Sequence, residues 1–141
     1  MNWMLTMKKK GSPQNKQFKS TLEKRFLIHW KKTGIPIATQ KQFHPTRMWR
    51  FDFAFPNLMI AIEIQGYGQG HAAYSSMHQD YIRHNEAVRL GWKVYYFMGK
   101  DIEGEAIHKT IEYVQQLINP THPNSPRETG AELRRRLHGK Q

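Results

Sequence analysis

Two acidic residues interrupt stretches that otherwise read as buried strands. They are Asp52 in RFDFAFP (50–56) and Glu63 in AIEIQG (61–66). Strand alternation puts Phe51, Phe53 and Phe55 on one face of the first stretch and Arg50, Asp52 and Ala54 on the other. In the second stretch Leu58, Ile60, Ile62 and Ile64 share one face, and Met59, Ala61, Glu63 and Gln65 share the other. A tight turn at Pro56-Asn57 would set Phe51 against Ile62, Phe53 against Ile60 and Phe55 against Leu58, so that the apolar faces coincide. Asp52 then opposes Ala61 and stands diagonal to Glu63, with Cα atoms roughly 7–8 Å apart. Carboxylates on an apolar hairpin are costly to bury unless they hold something positive. Mg²⁺, with Mn²⁺ as a substitute, suits such a pair: it accepts one or two carboxylates, keeps several waters and can share a phosphate oxygen. An ion of this kind activates water and stabilises the charge that develops on phosphorus. The plainer alternative is ion pairing, of Asp52 with Arg47 or Arg50 and of Glu63 with Arg50.

The charge distribution names a partner for that chemistry. The 141 residues carry 22 Lys and Arg against 11 Asp and Glu. Residues 1–51 hold twelve of the basic residues and a single acid, Glu23, so the whole excess of +11 lies in the N-terminal third. A concentrated positive field predicts a polyanion, most simply nucleic acid. The alternative is a solubilising basic face. There is no cysteine, which excludes disulfides, thiolate zinc sites and cysteine nucleophiles. No apolar run approaches the ~20 residues of a membrane span. The start, MNWMLTMKKKG, places charge after the apolar residues, the reverse of a secretory signal, so a soluble intracellular protein is expected.

The elements that must position the acids follow from periodicity and punctuation. Residues 1–11 read as a basic leader and 12–119 as one domain, with a linker and basic tail over 120–141. A helix is expected over 13–33, with Ser12 as cap, Pro13 at its first position, Phe18, Leu22 and Phe26 on one face, and Gly34 as its stop. Strands are expected over 37–44, 48–55 and 58–65, then a Gly-rich loop over 66–76. A helix over 77–90, capped by Ser75 or Ser76, precedes a short buried strand, WKVYYF (92–97), and a helix over 102–118. Residues 131–138 read as a basic helical tail. The order α-β-β-β-α-β-α predicts an α/β fold with a mixed four-stranded sheet flanked by helices.

At this point the residues resemble a known group. RFDFAFP followed by AIEIQG looks like the D…(D/E)-x-K signature of the PD-(D/E)XK nuclease superfamily, whose core is restriction-endonuclease-like. His71, the D-x-x-R of Asp80–Arg83 and GWKVYYF (91–97) resemble its very-short-patch-repair-like branch. Glu23 resembles the helix acid found in several members, Holliday junction resolvases among them. The resemblance covers about residues 18–118 and implies a metal held by Asp52, Glu63 and the main-chain carbonyl of Ile64, with Glu23 as an outer carboxylate. Glu23 equally suits a capping box with Ser20, or pairing with Lys19 or Lys24. Gln65 stands where the lysine is usual; an amide cannot deprotonate water, but it can orient one. That shifts interest to His71 as base or water-positioning group, against its reading as a polar loop residue. Arg83 by the same resemblance binds phosphate or pairs with Asp80. Asp80 otherwise favours a helix N-terminus, and His84 reads as a surface residue.

The expectation is a metal-dependent DNA endonuclease of the PD-(D/E)XK type, selective for branched, flap, mismatched or nicked DNA. Lys8, Lys9, Lys10, Lys16, Lys19, Arg47, Arg50, Arg83, Arg134, Arg135 and Arg136 would hold the backbone. Phosphate contacts position a duplex without reading its sequence. Trp49 and Tyr67 flank the site and could stack on bases, although core packing suits them better. Junction resolution would require a homodimer. Neither a membrane nor a small-molecule cofactor is expected. Rival readings are a binding protein of the same fold without catalysis, and an RNA-directed nuclease.

Overall fold

In the computed structural model of this chain the described residues are 13–66, 74–120 and 128–138, with the side chains of 13–18 and of Tyr74 outside the description. Lys8, Lys9, Lys10, Tyr67 and His71 therefore lie outside the described residues, as do the Lys16 and Phe18 side chains. Helix α1 (Pro13–Lys31) runs without a break, so Ser20 is interior and no capping box with Glu23 forms. Leu22, Phe26 and Trp30 recur every four residues and are all buried. Gly34 stops the helix at φ 71°, a conformation that favours glycine. The Trp30 indole N–H then fixes the exit by donating to the Ile35 carbonyl at 2.9 Å.

Four strands form one mixed sheet in the order β1 (Ala38–Gln42), β2 (Arg50–Phe55), β3 (Ile60–Gln65) and β4 (Lys93–Met98). The first three are antiparallel neighbours and β4 runs parallel to β3. Helix α1, α4 (Ala106–Ile118) and α5 (Gly130–His138) cover one face, where Phe26 and Trp30 meet Phe53 and Phe55, and Ile107, Val114 and Leu133 complete the main core. Helix α2 (Tyr74–Arg89) covers the other face, with Ala87 and Trp92 against Ala54 and Ala61. The α2 helix begins three residues before the expected start, so Ser75 and Ser76 lie inside its first turn rather than capping it.

The hairpin differs from its sequence reading in two ways. Residues Pro56–Leu58 form a 3-10 turn, and Met59 closes it in the left-handed region at φ 55°. The connection is therefore four residues long, and Leu58 is not in the strand. Phe53 pairs with Ile62, Ala54 with Ala61 and Phe55 with Ile60, two residues away from the expected register. An even shift keeps side-chain parity, which explains why the apolar pattern could not detect it. The second difference is Phe51, which leaves the face of Phe53 and Phe55. It packs on Phe43 and Trp92 in the α2-side core. Alternation slips between Phe51 and Phe53, at Asp52, and the β1 residue Gln40 near this slip has φ 49°. Such a slip re-aims a side chain.

Beyond β4 the helix expected over 102–118 begins only at Ala106, as α4, and a separate short helix, α3 (Gly99–Ile102), precedes it across a turn in which Gly104 has φ 57°. The turn exposes carbonyls that Arg25 of α1 takes up: its Nε donates to Ile102 O at 2.8 Å and its Nη2 to Gly104 O at 3.0 Å. Strand β4 is an edge strand rather than a buried one; Phe97 is buried but Tyr96 is 40% exposed. Among the described residues, no helix is long and apolar enough to cross a membrane.

The basic tail is not set apart from the domain. Leu133 and Leu137 of α5 are buried in the main core, four residues apart on one helix face. The Arg136 guanidinium donates to the last carbonyl of α4, Ile118 O, and pairs with Glu128 at 3.3 Å. Arg134 lies against Gly34, where an added Cβ would come within 2.9 Å of its guanidinium. Truncating a buried leucine loses transfer energy and leaves a cavity, so Leu133→Ala is expected to lower the unfolding free energy by about 2–4 kcal/mol in urea titrations. An unchanged midpoint would show that α5 does not dock.

Candidate active site

The β2–β3 pairing ends at Phe53 with Ile62, and Ala61 faces Ala54 rather than Asp52; Asp52 and Glu63 come next along their strands and meet through hydrogen bonds. Both are buried, at 6% and 3% exposure. Each carboxylate takes a main-chain N–H from the facing strand. Asp52 Oδ2 accepts from Ile64 N at 2.8 Å, and Glu63 Oε2 accepts from Asp52 N at 3.3 Å. These contacts stand where the β2–β3 ladder stops, so side chains replace carbonyls as the local acceptors.

The counter-charges come from the two flanking helices. Lys19 Nζ of α1 lies 3.4 Å from Asp52 Oδ1 and 3.9 Å from Glu23 Oε1, one turn along the helix. Arg83 of α2 pairs with Glu63 Oε1 and also donates to the Arg50 carbonyl at 2.6 Å. The expected pairings of Asp52 with Arg47 or Arg50, and of Glu63 with Arg50, do not form. Arg83 does not pair with Asp80 either. Lys19 and Arg83, expected at the DNA backbone, lie against the acids, because buried carboxylates require nearby cations, and the alternative pairing of Lys19 with Glu23 also forms. Asp80 lies well inside α2 rather than at its N-terminus, and it borders the same cleft.

Glu23 joins the pair electrostatically. Burial, reinforced by its hydrogen bond with Asp52, pushes its carboxyl up to about 8. Burial and the Asp52 charge likewise push Glu63 up to about 7, against the pull of Arg83. Burial also acts to raise Asp52, but hydrogen bonds from Glu23 and Glu63, with the charge of Lys19, outweigh it and hold Asp52 below the usual range. The surroundings thus favour the ionised form at Asp52 and the protonated form at the two glutamates.

A cleft of about 170 Å³ opens beside this group, lined by Lys19, Glu63, Ile64, Gln65, Asp80, Arg83 and Tyr96. Gln65 is exposed at its rim, the first β3 side chain beyond the buried run. A second hollow, of about 130 Å³, shares Asp80 and Arg83 and adds Arg47, Trp49 and Gln79. The Arg47 guanidinium sits 4.9 Å from the centre of the Trp49 ring. Its loop is held by His44, which is buried and whose Nδ1 accepts from Thr46 N and Arg47 N at 3.2 and 3.1 Å. Arg134, Arg135 and Arg136 are not brought here. Their helix meets the β2–β3 turn, where Asn57 donates to Leu137 O, at the opposite end of these strands.

Sequence reasoning missed Tyr96 as a cleft residue. The parallel ladder pairs it with Glu63, and its hydroxyl lies 3.0 Å from His84 Nδ1. The run YYF identified a strand, but which tyrosine shares a face with Glu63 depends on the β3–β4 register, and nothing local fixes that. The contact of Lys19 with Asp52 was likewise missed; its pairing with Glu23, four residues on, was one of the alternatives the sequence offered.

The raised glutamates have a sign that can be checked. Their folded values of about 7 and 8 lie above the ordinary 4.5, so the folded chain binds protons more tightly than the unfolded one. The stability this gives is fully present below about pH 4.5 and is lost as pH rises through about 7 to 8. In metal-free buffer the wild type is therefore expected to lose more stability than Glu63→Gln between about pH 5 and 8.5, measured by urea unfolding; equal pH slopes would refute the shifts. No protein-family model, no curated protein and no solved structure matches this chain.

Proposed function

We propose that this chain is a metal-dependent endonuclease that hydrolyses DNA phosphodiesters, with a restriction-endonuclease-like core of the PD-(D/E)XK type. The observation that carries the reading is the pair of buried, facing carboxylates, Asp52 and Glu63, beside a cleft whose other charged walls include Lys19 and Arg83. Strand order and direction are compatible with that core: three antiparallel strands, then a crossover helix to a parallel fourth.

The donor set fits a hard divalent ion. Among the described residues no three His, Asp or Glu side chains form a complete cage. The ion would be held by Asp52 and Glu63, with water completing its shell, the mode that Mg²⁺ favours and Mn²⁺ tolerates. Ile64 borders the cleft, in keeping with a main-chain contribution, and Glu23 stands behind Asp52 as an outer carboxylate. When bound, the metal supplies Lewis-acid stabilisation of phosphoryl charge and a more acidic water. Lys19, 42% exposed and only loosely paired, offers a mobile ammonium to the phosphate that neutral Gln65 cannot. Gln65 orients the attacking water by hydrogen bonds. Arg83, tied to Glu63 and Arg50 O, holds the acid in place and presents positive charge to the backbone. Arg47, in the adjoining hollow with Trp49, extends that charge.

A second reading has its own support. Lys19 and Arg83 already neutralise the acids, and Gln65 lacks a charge, which suits a nucleic-acid-binding protein of this fold without catalysis. A panel of duplex, nicked, flap, mismatched and four-way DNA, with matched RNA, decides between them in Mg²⁺ or Mn²⁺. The nuclease reading expects cutting of at least one DNA, lost at least 10²-fold in Asp52→Asn while binding persists. Lys19→Ala is expected to cut more slowly. No cleavage of any substrate would leave the binding reading, and cleavage of RNA alone would move the substrate class.

A further inference from the structure

We propose that Tyr96, positioned by His84, protonates the oxygen that leaves phosphorus. The inference rests on the nuclease reading and adds a catalytic residue to it. Tyr96 pairs with Glu63 across the parallel ladder, so the two residues stand on adjacent strands, roughly 4.8 Å apart, at one level of the sheet. Tyr96 is 40% exposed and lines the carboxylate cleft. Its hydroxyl lies 3.0 Å from His84 Nδ1, and His84 follows Arg83 directly on α2. One helix therefore fixes both the partner of Glu63 and the partner of Tyr96.

Elimination among the other cleft side chains points the same way. A deoxyribose oxygen leaving phosphorus takes the electron pair of the broken bond and needs a proton. Arg83 does not release protons and is tied to Glu63 and the Arg50 carbonyl. The Gln65 amide is not an acid. Lys19 is assigned above to the phosphate and Glu63 to the metal, which leaves Asp80 and Tyr96 among the cleft side chains, and of these two Tyr96 has its oxygen held by a ring nitrogen, that of His84. Tyr96 contributes the neutral O–H. With a proton on Nδ1, His84 donates to the Tyr96 oxygen and leaves the phenolic proton directed at the cleft. Water oxygen forms the new bond to phosphorus and its proton passes to solvent. The bond to the leaving oxygen breaks, that oxygen takes the Tyr96 proton, and the phenolate is reprotonated from solvent.

The test uses the full chain, a DNA that the wild type cuts, and the same DNA with sulfur in place of the leaving oxygen at the mapped bond. A thiolate departs without a proton. Tyr96→Phe is expected to cut the oxygen substrate about 10²-fold more slowly. The sulfur substrate should be cut within a few fold of the wild-type rate. His84→Gln should show a smaller loss with the same sulfur rescue. An equal loss on both substrates would make Tyr96 a structural residue and overturn the inference, and so would no loss on either. Absence of cleavage by the wild type would instead remove the nuclease reading itself, and the inference with it.

Discussion

The structure turns on a reciprocal contact between facing strands: the carboxylate of Asp52 holds the amide of Ile64, and that of Glu63 holds the amide of Asp52. Burying two acids side by side is unfavourable by repulsion and by desolvation. The fold offsets this in three ways. It gives each acid a backbone donor, brings a cation from each flanking helix, and raises the proton affinity of the glutamates. Every element around the site is answerable to one of these. Helix α1 brings Lys19 and Glu23, helix α2 brings Arg83, and the slip in β2 re-aims strand alternation at Asp52.

A buried acid group with compensating charge has two uses. It can be a structural knot, or it can be a cation site whose counter-charges stand in when no metal is bound. The two differ in how firmly each partner is held. Arg83 is fixed by an ion pair and a carbonyl, as a positioning group would be. Lys19 is half-exposed, and its contacts of 3.4 and 3.9 Å are longer than a close ion pair, so it can leave at little cost. That asymmetry favours a site over a knot.

Much of this was legible in the sequence. The order of elements, the mixed sheet, the Gly34 stop and the convergence of Asp52 with Glu63 followed from periodicity and punctuation. What was not legible has a common origin. The hairpin register moved by two because such a shift leaves every side chain on its expected face. Phe51 changed sides because a slip in alternation leaves no trace in residue type. The helix expected over 102–118 begins late because Gly104 was one glycine among several, and its meaning depended on Arg25, nearly eighty positions away. Leu133 and Leu137 were too few to announce a docked helix against three arginines. For Lys19 and Arg83 the sequence offered acids nearby on their own helices, Glu23 and Asp80, whereas their contacts with Asp52 and Glu63 join residues distant in sequence and depend on how the helices pack on the sheet.

The turn at Gly104 gives α1 a fulcrum. Arg25 clasps the Ile102 and Gly104 carbonyls, and Leu22 and Phe26 are seated in the core on either side of it. Glu23 stands beside this pivot. Lys19 lies one turn further out, on the lever arm. Any bending of the helix thus carries the ammonium through a wider arc than the carboxylate. Cation and acid on a single helix can part company without the sheet having to yield.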